Sequence, residues 1–320
     1  MLKVIVVGYG EMFTNLIAGT LDANCEIVGV LRSEMCKYPP FIRKIKDIIN
    51  PSRDYSYIKS YNLPEIKAHN GVNSKEFKKA VLKLNPDIIL VGSWGEKFSK
   101  DTYSMPRIAT INAHPSLLPK YRGPNPYYWV IKNQELESGI TFHLMDEKYD
   151  NGAILSQEIV KIYPTDTGKT LKERTVLTAR GVVSELLNVL ADDVVIPLQQ
   201  REEQATYYSY PEEFELSFKK NAEEIYANIR AHYPWNKTYF YHKITALTPN
   251  PHKITIEENK TEFKDFGTIV AFDVDTKMLA VLCGNNKVLK MTDINLYKDI
   301  DKPFTKNYLK QDITIGDIIV

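Results

Sequence analysis

Apolar and polar positions follow two alternating periods along the first 200 residues. LKVIVVGYG (2–10) is a continuous apolar run ending at glycines, the pattern of a strand buried on both faces of a parallel sheet. EMFTNLIAGTLDA (11–23) then places apolar residues at helical spacing, and CEIVGVL (25–31) returns to the strand pattern. The alternation continues with a helix over SKEFKKAVLKLN (74–85), a buried strand over PDIILVGSW (86–94) and a strand over ATINAHPS (109–116) that breaks at Pro115. Alternating strands and helices predict a Rossmann-like α/β unit with right-handed crossovers. GITFHLMD (139–146) and GAILSQEIVKI (152–162) predict a strand pair extending the sheet, and residues 168–192 a long amphipathic helix.

The pattern changes near residue 200. VIPLQQREEQATYYSYP (195–211) is polar and punctuated by prolines, the mark of a connection. Beyond it one helix, NAEEIYANIRAHYP, precedes short strand-like runs including HKITIEE, FGTIVAFD, MLAVLC and KVLKMTDINL. Short strands between turn residues predict a small β-barrel, the five-stranded oligonucleotide/oligosaccharide-binding (OB) type being one candidate. The expected organisation is therefore a catalytic unit over 1–200, a linker over 201–211 and an OB-like β-barrel over 212–320.

Composition narrows the partners. Charged residues make up 25% of the chain, with a formal net charge of +1, so an anionic partner must be held by a local patch. Cys25, Cys36 and Cys283 lack metal spacing and are odd in number, which favours structural thiols in a reducing compartment. The amino terminus starts directly on a strand, and no apolar run is long enough to span a bilayer; the expectation is a cytoplasmic protein with no membrane association, no metal and no stable protein partner.

Three constellations carry chemistry. VGYGEMF (7–13) follows the first strand like a dinucleotide-binding loop, but Phe13 stands where a third glycine belongs and Arg32 where a ribose-binding acid belongs. At most an NADP-like variant remains; the alternative is a tight turn needing glycine. In the second constellation, Asn112 and His114 point to one side of a continuing strand, at the carboxyl end where parallel sheets place ligands. Asp146 and Asp150 lie in the MDEKYDNGAIL loop. An aspartate against His114 raises imidazole basicity, and an asparagine amide donates to a developing oxyanion, which suits acyl transfer to an amine. The alternatives are a hydrogen-bonded loop histidine and a turn-capping aspartate. The third is basic and aromatic: Lys120 and Arg122 within LPKYRGPNPYYW, and Lys37, Arg43, Lys44, Lys46, Arg53 and Lys59 within residues 32–62. These stretches suit anionic ligands gripped by charge, or else a solvated surface.

INAHPSLLPKYRGPNPYYWVI together with ITFHLMDEKYDNGAIL resembles the signature of the folate-dependent formyltransferases, the methionyl-tRNA formyltransferase type in particular. The likeness extends over GVNSKEFKKAVLKLNPDIILVGSWG and over QATYYSYPEEFELSF with IRAHYPW, nearly the whole chain. It implies transfer of the formyl group of 10-formyltetrahydrofolate, a cosubstrate, to an amine. In that family the position of Asn112 holds the formyl oxygen. The position of His114 stabilises the oxyanion and assists proton movement, and that of Asp150 orients the histidine and helps take the amine proton. The folate is expected along Glu96, Lys97 and Phe98 and against Ser116, Leu117, Leu118 and Pro119, with Asp146 near its pterin.

Two departures bear on the acceptor. GYGEMF stands where the family carries a Gly-Thr-Pro-x-Phe turn, and KYPPFIRKIKDIINPSR replaces a Gly- and Arg-rich insertion. The resemblance implies initiator methionyl-tRNA as partner, with Lys44 and Lys46 entering the acceptor region. An amino-sugar nucleotide is the alternative, its diphosphate gripped by Lys120 or Arg122. A non-catalytic RNA- or sugar-binding module is the third reading, and the intact Asn112, His114 and Asp150 weigh against it.

Overall fold

The computed structural model describes residues 1–192, 195–298 and 302–319; residues 299–301 and 320, within the span expected for the second domain, lie outside the described residues. The chain divides into two compact units. One comprises Met1–Pro126, Glu137–Lys161 and Lys172–Ser209, the other Tyr127–Leu136, Ile162–Leu171 and Tyr210–Val320.

The first unit runs β1 (Lys3–Gly8), α1 (Gly10–Asp22), β2 (Glu26–Arg32), α2 (Glu34–Lys37), α3 (Pro40–Ile49), α4 (Arg53–Ser60), α5 (Lys75–Leu84), β3 (Ile88–Gly92), α6 (Lys100–Tyr103) and β4 (Ala109–His114). Beyond α7 (Pro126–Lys132) come β5 (Glu137–Leu144), β6 (Ile154–Lys161) and α8 (Gly168–Asp192). The sheet has the order β2-β1-β3-β4-β5-β6. β2, β1, β3 and β4 are mutually parallel, while β5 is antiparallel to β4 and β6 to β5. The final pair thus extends a parallel core, as its alternating pattern predicts.

Side-chain alternation along β1 feeds two cores. Val4 and Val6 pack with Met12, Phe13, Leu16 and Ile17 of α1 and with Val183 and Leu187 of α8; Ile5 and Val7 pack on the opposite face with Phe77 and Val81 of α5. Each such fully buried side chain contributes about 1.5–3 kcal/mol relative to exposure. Ser74 caps α5 by accepting from the Phe77 N–H at 3.2 Å, and Asn85 ends it in the left-handed region at φ 46°. Covered on both faces, β4 is fixed in place, and its carboxyl end delivers the residues of interest.

In the second unit, α9 (Ala222–His232) precedes β7 (Phe240–His242), β8 (Thr245–Thr248), β9 (Ile254–Glu258), β10 (Ile269–Asp273), β11 (Met278–Leu282), β12 (Lys287–Met291), β13 (Asn295–Leu296) and α10 (Lys302–Asp312). The strands form antiparallel sheets of order β10-β11-β12-β9 and β13-β8-β7. Phe218, Ile225, Phe240, Leu247, Val281, Leu289 and Leu309 share one buried core. This is the small β domain expected from the short apolar runs, with seven strands in two sheets among the described residues where five were the candidate number. The tetrapeptide TALT of β8 and the polar helix α10 carry too little periodic signal to be read from sequence.

Candidate active site

β4 places Asn112 and His114 two residues apart, so both side chains leave the same face. Asn112 is directly opposite His143 of β5 in the antiparallel register, and His114 is opposite Thr141. Asp150 belongs to the loop between β5 and β6 and takes the left-handed conformation at φ 53°, one that Asp tolerates better than most residues. Gln200 anchors this loop by donating its amide to the carbonyls of Asp150 (3.0 Å) and Gly152 (2.8 Å).

These residues converge. Nδ1 of His114 lies 3.3 Å from Oδ1 of Asp150, and its Nε2 is 2.8 Å from the carbonyl oxygen of Tyr121. Both partners are acceptors, an arrangement that favours a hydrogen on each ring nitrogen and so the imidazolium form. Burial opposes that charge, yet the adjacent Asp150 carboxylate and the Tyr121 carbonyl outweigh it and raise the His114 pKa above its ordinary value. Burial likewise penalises the Asp150 charge, while His114 and the Gly123 N–H, which donates to Oδ2 at 2.8 Å, hold its carboxyl well below the usual carboxylate range. A buried imidazole whose charged form is favoured thus sits beside the Asn112 amide, suited to stabilising negative charge on a reacting carbonyl oxygen.

Sequence reasoning passed over three residues that complete this cluster. His143 is buried; its Nε2 is 3.1 Å from Nδ2 of Asn112 and 3.8 Å from Oδ1 of Asp150, and its Nδ1 is 2.9 Å from the Leu144 carbonyl. Burial pushes its pKa down to about 4, so the ring is neutral. A histidine within the apolar run GITFHL was the one available signal. Tyr121 and Gln200 act through a backbone carbonyl and a distant amide, for which no local pattern exists.

The segment after β4 is a built loop. Ser116 is fully buried and donates to the Lys120 carbonyl at 2.8 Å; Leu118 is buried and its carbonyl accepts from Gln157. The Leu118–Pro119 bond is cis. The Pro119 carbonyl accepts from the Thr206 N–H, and Thr206 Oγ1 accepts from the Tyr121 N–H. Residues 200–208, which read as mere connection, therefore knit onto this loop. Leu117 lies against Gly139 of β5, and Lys120 is exposed.

The other expected site residues fall into distinct environments. Lys97 lines a cleft of about 450 Å³ with Arg122, Tyr149 and Tyr207, and a second of about 440 Å³ with Phe98 and Tyr103. The Glu96 carboxylate accepts from the Val72 N–H and the Asn73 amide, at 3.0 and 2.9 Å, so it fastens a neighbouring loop. Asp146 accepts from Asn151 and from the Lys148 N–H, capping its own turn. Arg122 is buried and bound to Gln200 and Glu202, which commits the guanidinium expected to grip a diphosphate.

Arg32 is engaged within the protein: its buried guanidinium is 2.5 Å from both Asp47 and Glu65 and lies over the Tyr55 ring. Gly8 is required because a Cβ there would overlap the Gly92 carbonyl, and Gly10 because its φ is +66°. The basic stretch 32–62 is also turned about. Arg43 contacts His69 and Lys46 donates to the Tyr38 hydroxyl at 3.0 Å, whereas Phe41, Ile48 and Ile49 on α3 are 75%, 73% and 78% exposed. Lys44 is exposed.

Among known proteins, residues 2–187 match the family described as Formyl transferase, and residues 209–300 match Formyl transferase, C-terminal domain. These two matches, over a mostly parallel sheet bearing the Asn112, His114 and Asp150 cluster and over the small β domain after it, place the chain among the group-transfer enzymes. The chain belongs to the formyl transferase family. It is 32% identical to a methionyl-tRNA formyltransferase of Geobacillus sp. (strain WCH70) over 227 residues, 70% of this chain and 69% of that one. It is 27% identical to the methionyl-tRNA formyltransferase of Bacillus thuringiensis subsp. konkukian (strain 97-27) over 298 residues, 92% and 91% of the two chains. In fold it resembles the N-formyltransferase from Helicobacter canadensis in complex with folinic acid and dTDP-3-aminofucose, with a TM-score of 0.64, 18% identity and coverage of 91% and 99%. No helix among the described residues is long and apolar enough to cross a membrane.

Proposed function

We propose that this chain is a cytoplasmic enzyme that transfers the formyl group of 10-formyltetrahydrofolate to the amine of initiator methionyl-tRNA. The observation that carries the reading is the buried His114–Asp150 pair, 3.3 Å apart beside Asn112. A neutral amine attacks the formyl carbon and negative charge grows on its oxygen. An Asn112 N–H and the His114 charge stabilise that oxygen, one such donor being worth about 3 kcal/mol. Completing the transfer moves one proton from the attacking amine to the departing folate nitrogen. The pair, which holds one proton between an acid and a base, supplies it on one side and regains it on the other, a contribution of about 100- to 10,000-fold. The folate is assigned to the clefts around Lys97 and Phe98, and the family resemblance assigns its remaining contacts to Ser116, Leu117, Leu118 and Pro119.

The relatives named methionyl-tRNA formyltransferase, matched over most of the chain, support the tRNA acceptor. An amino-sugar nucleotide is the second reading. It is favoured by the inward turn of Arg43 and Lys46, which leaves Lys44 and an aliphatic face outermost on α3, and by the likeness in fold to an enzyme crystallised with dTDP-3-aminofucose. Purified protein incubated with 10-formyltetrahydrofolate and either methionine-charged initiator tRNA or dTDP-3-aminofucose separates the two. Formylmethionine at micromolar tRNA supports the first; transfer to the sugar alone replaces it with the second, and transfer to neither overturns both.

A further inference from the structure

His143 has a single consistent protonation pattern. Its Nδ1 faces the Leu144 carbonyl at 2.9 Å; a carbonyl only accepts, so Nδ1 carries the hydrogen and Nε2 of the neutral ring is a bare lone pair. The atom 3.1 Å from that lone pair must be the Asn112 nitrogen, since the amide oxygen would set two acceptors against each other. His143 is 2% exposed, so its ring is shielded from solvent. Strand register supplies the placement, because Asn112 and His143 are directly opposed in the β4–β5 ladder.

We propose that His143 is a positioning residue for formyl transfer, its Nε2 fixing the rotation of the Asn112 carboxamide so that one N–H engages His143 and the other remains for the reacting oxygen. This rests on the formyl-transfer reading given above. Rotated by a half-turn, the amide would bring its oxygen to the place of its nitrogen and set an acceptor against a developing negative charge. Asp150 adds a second constraint. Its Oδ1 lies 3.8 Å from His143 Nε2 and 3.3 Å from His114 Nδ1, so a hydrogen on His143 Nε2 would draw the same oxygen from His114 and leave Asn112 without its acceptor.

The test compares His143→Leu, which removes the acceptor at similar volume, with His143→Gln, whose amide oxygen reaches toward the Nε2 position. Turnover is measured with 10-formyltetrahydrofolate and whichever of the two acceptors the wild-type protein formylates, folding being checked by thermal unfolding. His143→Leu is expected to lower kcat 10- to 100-fold with KM values within about twofold, and His143→Gln to recover a large part of it. In an Asn112→Ala background His143→Leu should cost almost nothing further, since the partner it orients is gone. An equal loss in both backgrounds, or wild-type turnover in His143→Leu, overturns the proposal. Nitrogen-15 NMR of histidine-labelled protein reads the contact without catalysis: Nδ1 should be protonated and Nε2 bare, the Nε2 signal shifting in Asn112→Ala. If the wild-type protein moves no formyl group while that signal behaves as stated, the reaction reading has failed and the contact stands; an Nε2-protonated ring overturns the contact itself.

Discussion

Gly152 sits so close to Leu144 that a Cβ at 152 would overlap the Leu144 carbonyl oxygen. That same oxygen accepts from His143 Nδ1, and the Leu144 N–H donates to the Ala153 carbonyl at 2.9 Å. The obstructing atom is strand backbone and has no rotamer to change. Gly152→Ala must therefore displace the loop that carries Asp150. Overpacking of this kind costs about 1–3 kcal/mol, so the melting temperature should fall, and formyl transfer should drop by at least about tenfold as the carboxylate leaves His114. Calorimetry and single-turnover kinetics check both; an unchanged melt with unchanged turnover would remove the close approach from the description.

Asp150→Asn separates charge from shape. The amide still accepts from the Gly123 N–H, but it no longer outweighs burial at His114. The imidazole should then titrate below its ordinary value near 6.5, where in the wild-type protein it titrates above it. Turnover at neutral pH should fall about 100- to 10,000-fold, while stability suffers little because His114 can shed its proton rather than remain an unpaired buried cation. An NMR titration of His114 beside rapid-quench kinetics tests the pair. A His114 that keeps its elevated titration in Asp150→Asn would show that another group holds its proton.

The strands were legible because β1 and β3 are continuous apolar runs and β4 is bounded by Pro115, with helices between them. Asn112 and His114 were legible from period-two alternation; the turn residues marked a loop with two aspartates, and the family resemblance singled out Asp150. His143 was not, because its meeting with Asn112 depends on the register of β4 against β5, which a slip of one residue would reverse. Gln200 was hidden by its separation of 50 residues from Asp150. The apolar arc of α3 is visible in PFIRKIKDII, but its orientation is not. A core-facing helix ordinarily turns that arc inward; here Arg32, buried at the end of β2, draws Asp47 and the polar face toward itself. A single buried guanidinium reverses what composition alone suggests.

The pH dependence of stability has a sign that can be fixed group by group. His114 has a raised pKa, so its contribution is complete below about 6.5 and fades as pH rises through the folded value. Asp150 has a depressed pKa, and its contribution is complete above about 3.8. Neither changes between pH 6.5 and 4. His143, pushed down to about 4, does: the unfolded ring takes a proton that the native ring refuses, so stability is full above 6.5 and falls toward 4. The loss attributable to it is roughly 3 kcal/mol. His232 and His242 also have depressed pKa values, so the measurement is a difference. Denaturant midpoints of wild type and His143→Leu should converge as pH is lowered from 7 to 4.5, and parallel curves would contradict the neutral buried ring.

Lys44 and Lys46 are two residues apart and face different surroundings, which makes them a test of the acceptor. Lys46 donates to the Tyr38 hydroxyl and lies 4.2 Å over its ring, while Lys44 is exposed. If α3 meets RNA phosphates, Lys44→Ala should raise the KM for initiator tRNA severalfold and reduce by about one the slope of log affinity against log salt. Lys46→Ala should instead lower stability by about 0.5–1 kcal/mol, the worth of an exposed cation–π contact, with a smaller effect on that slope. A small diphosphate-linked acceptor touches no extended phosphate backbone, so neither substitution should then alter the salt dependence of catalysis. Measuring KM for tRNA from 50 to 300 mM salt in both variants distinguishes these cases. Equal slopes in wild type and Lys44→Ala would take the RNA contact away from α3 and leave its aliphatic face without a role in acceptor binding.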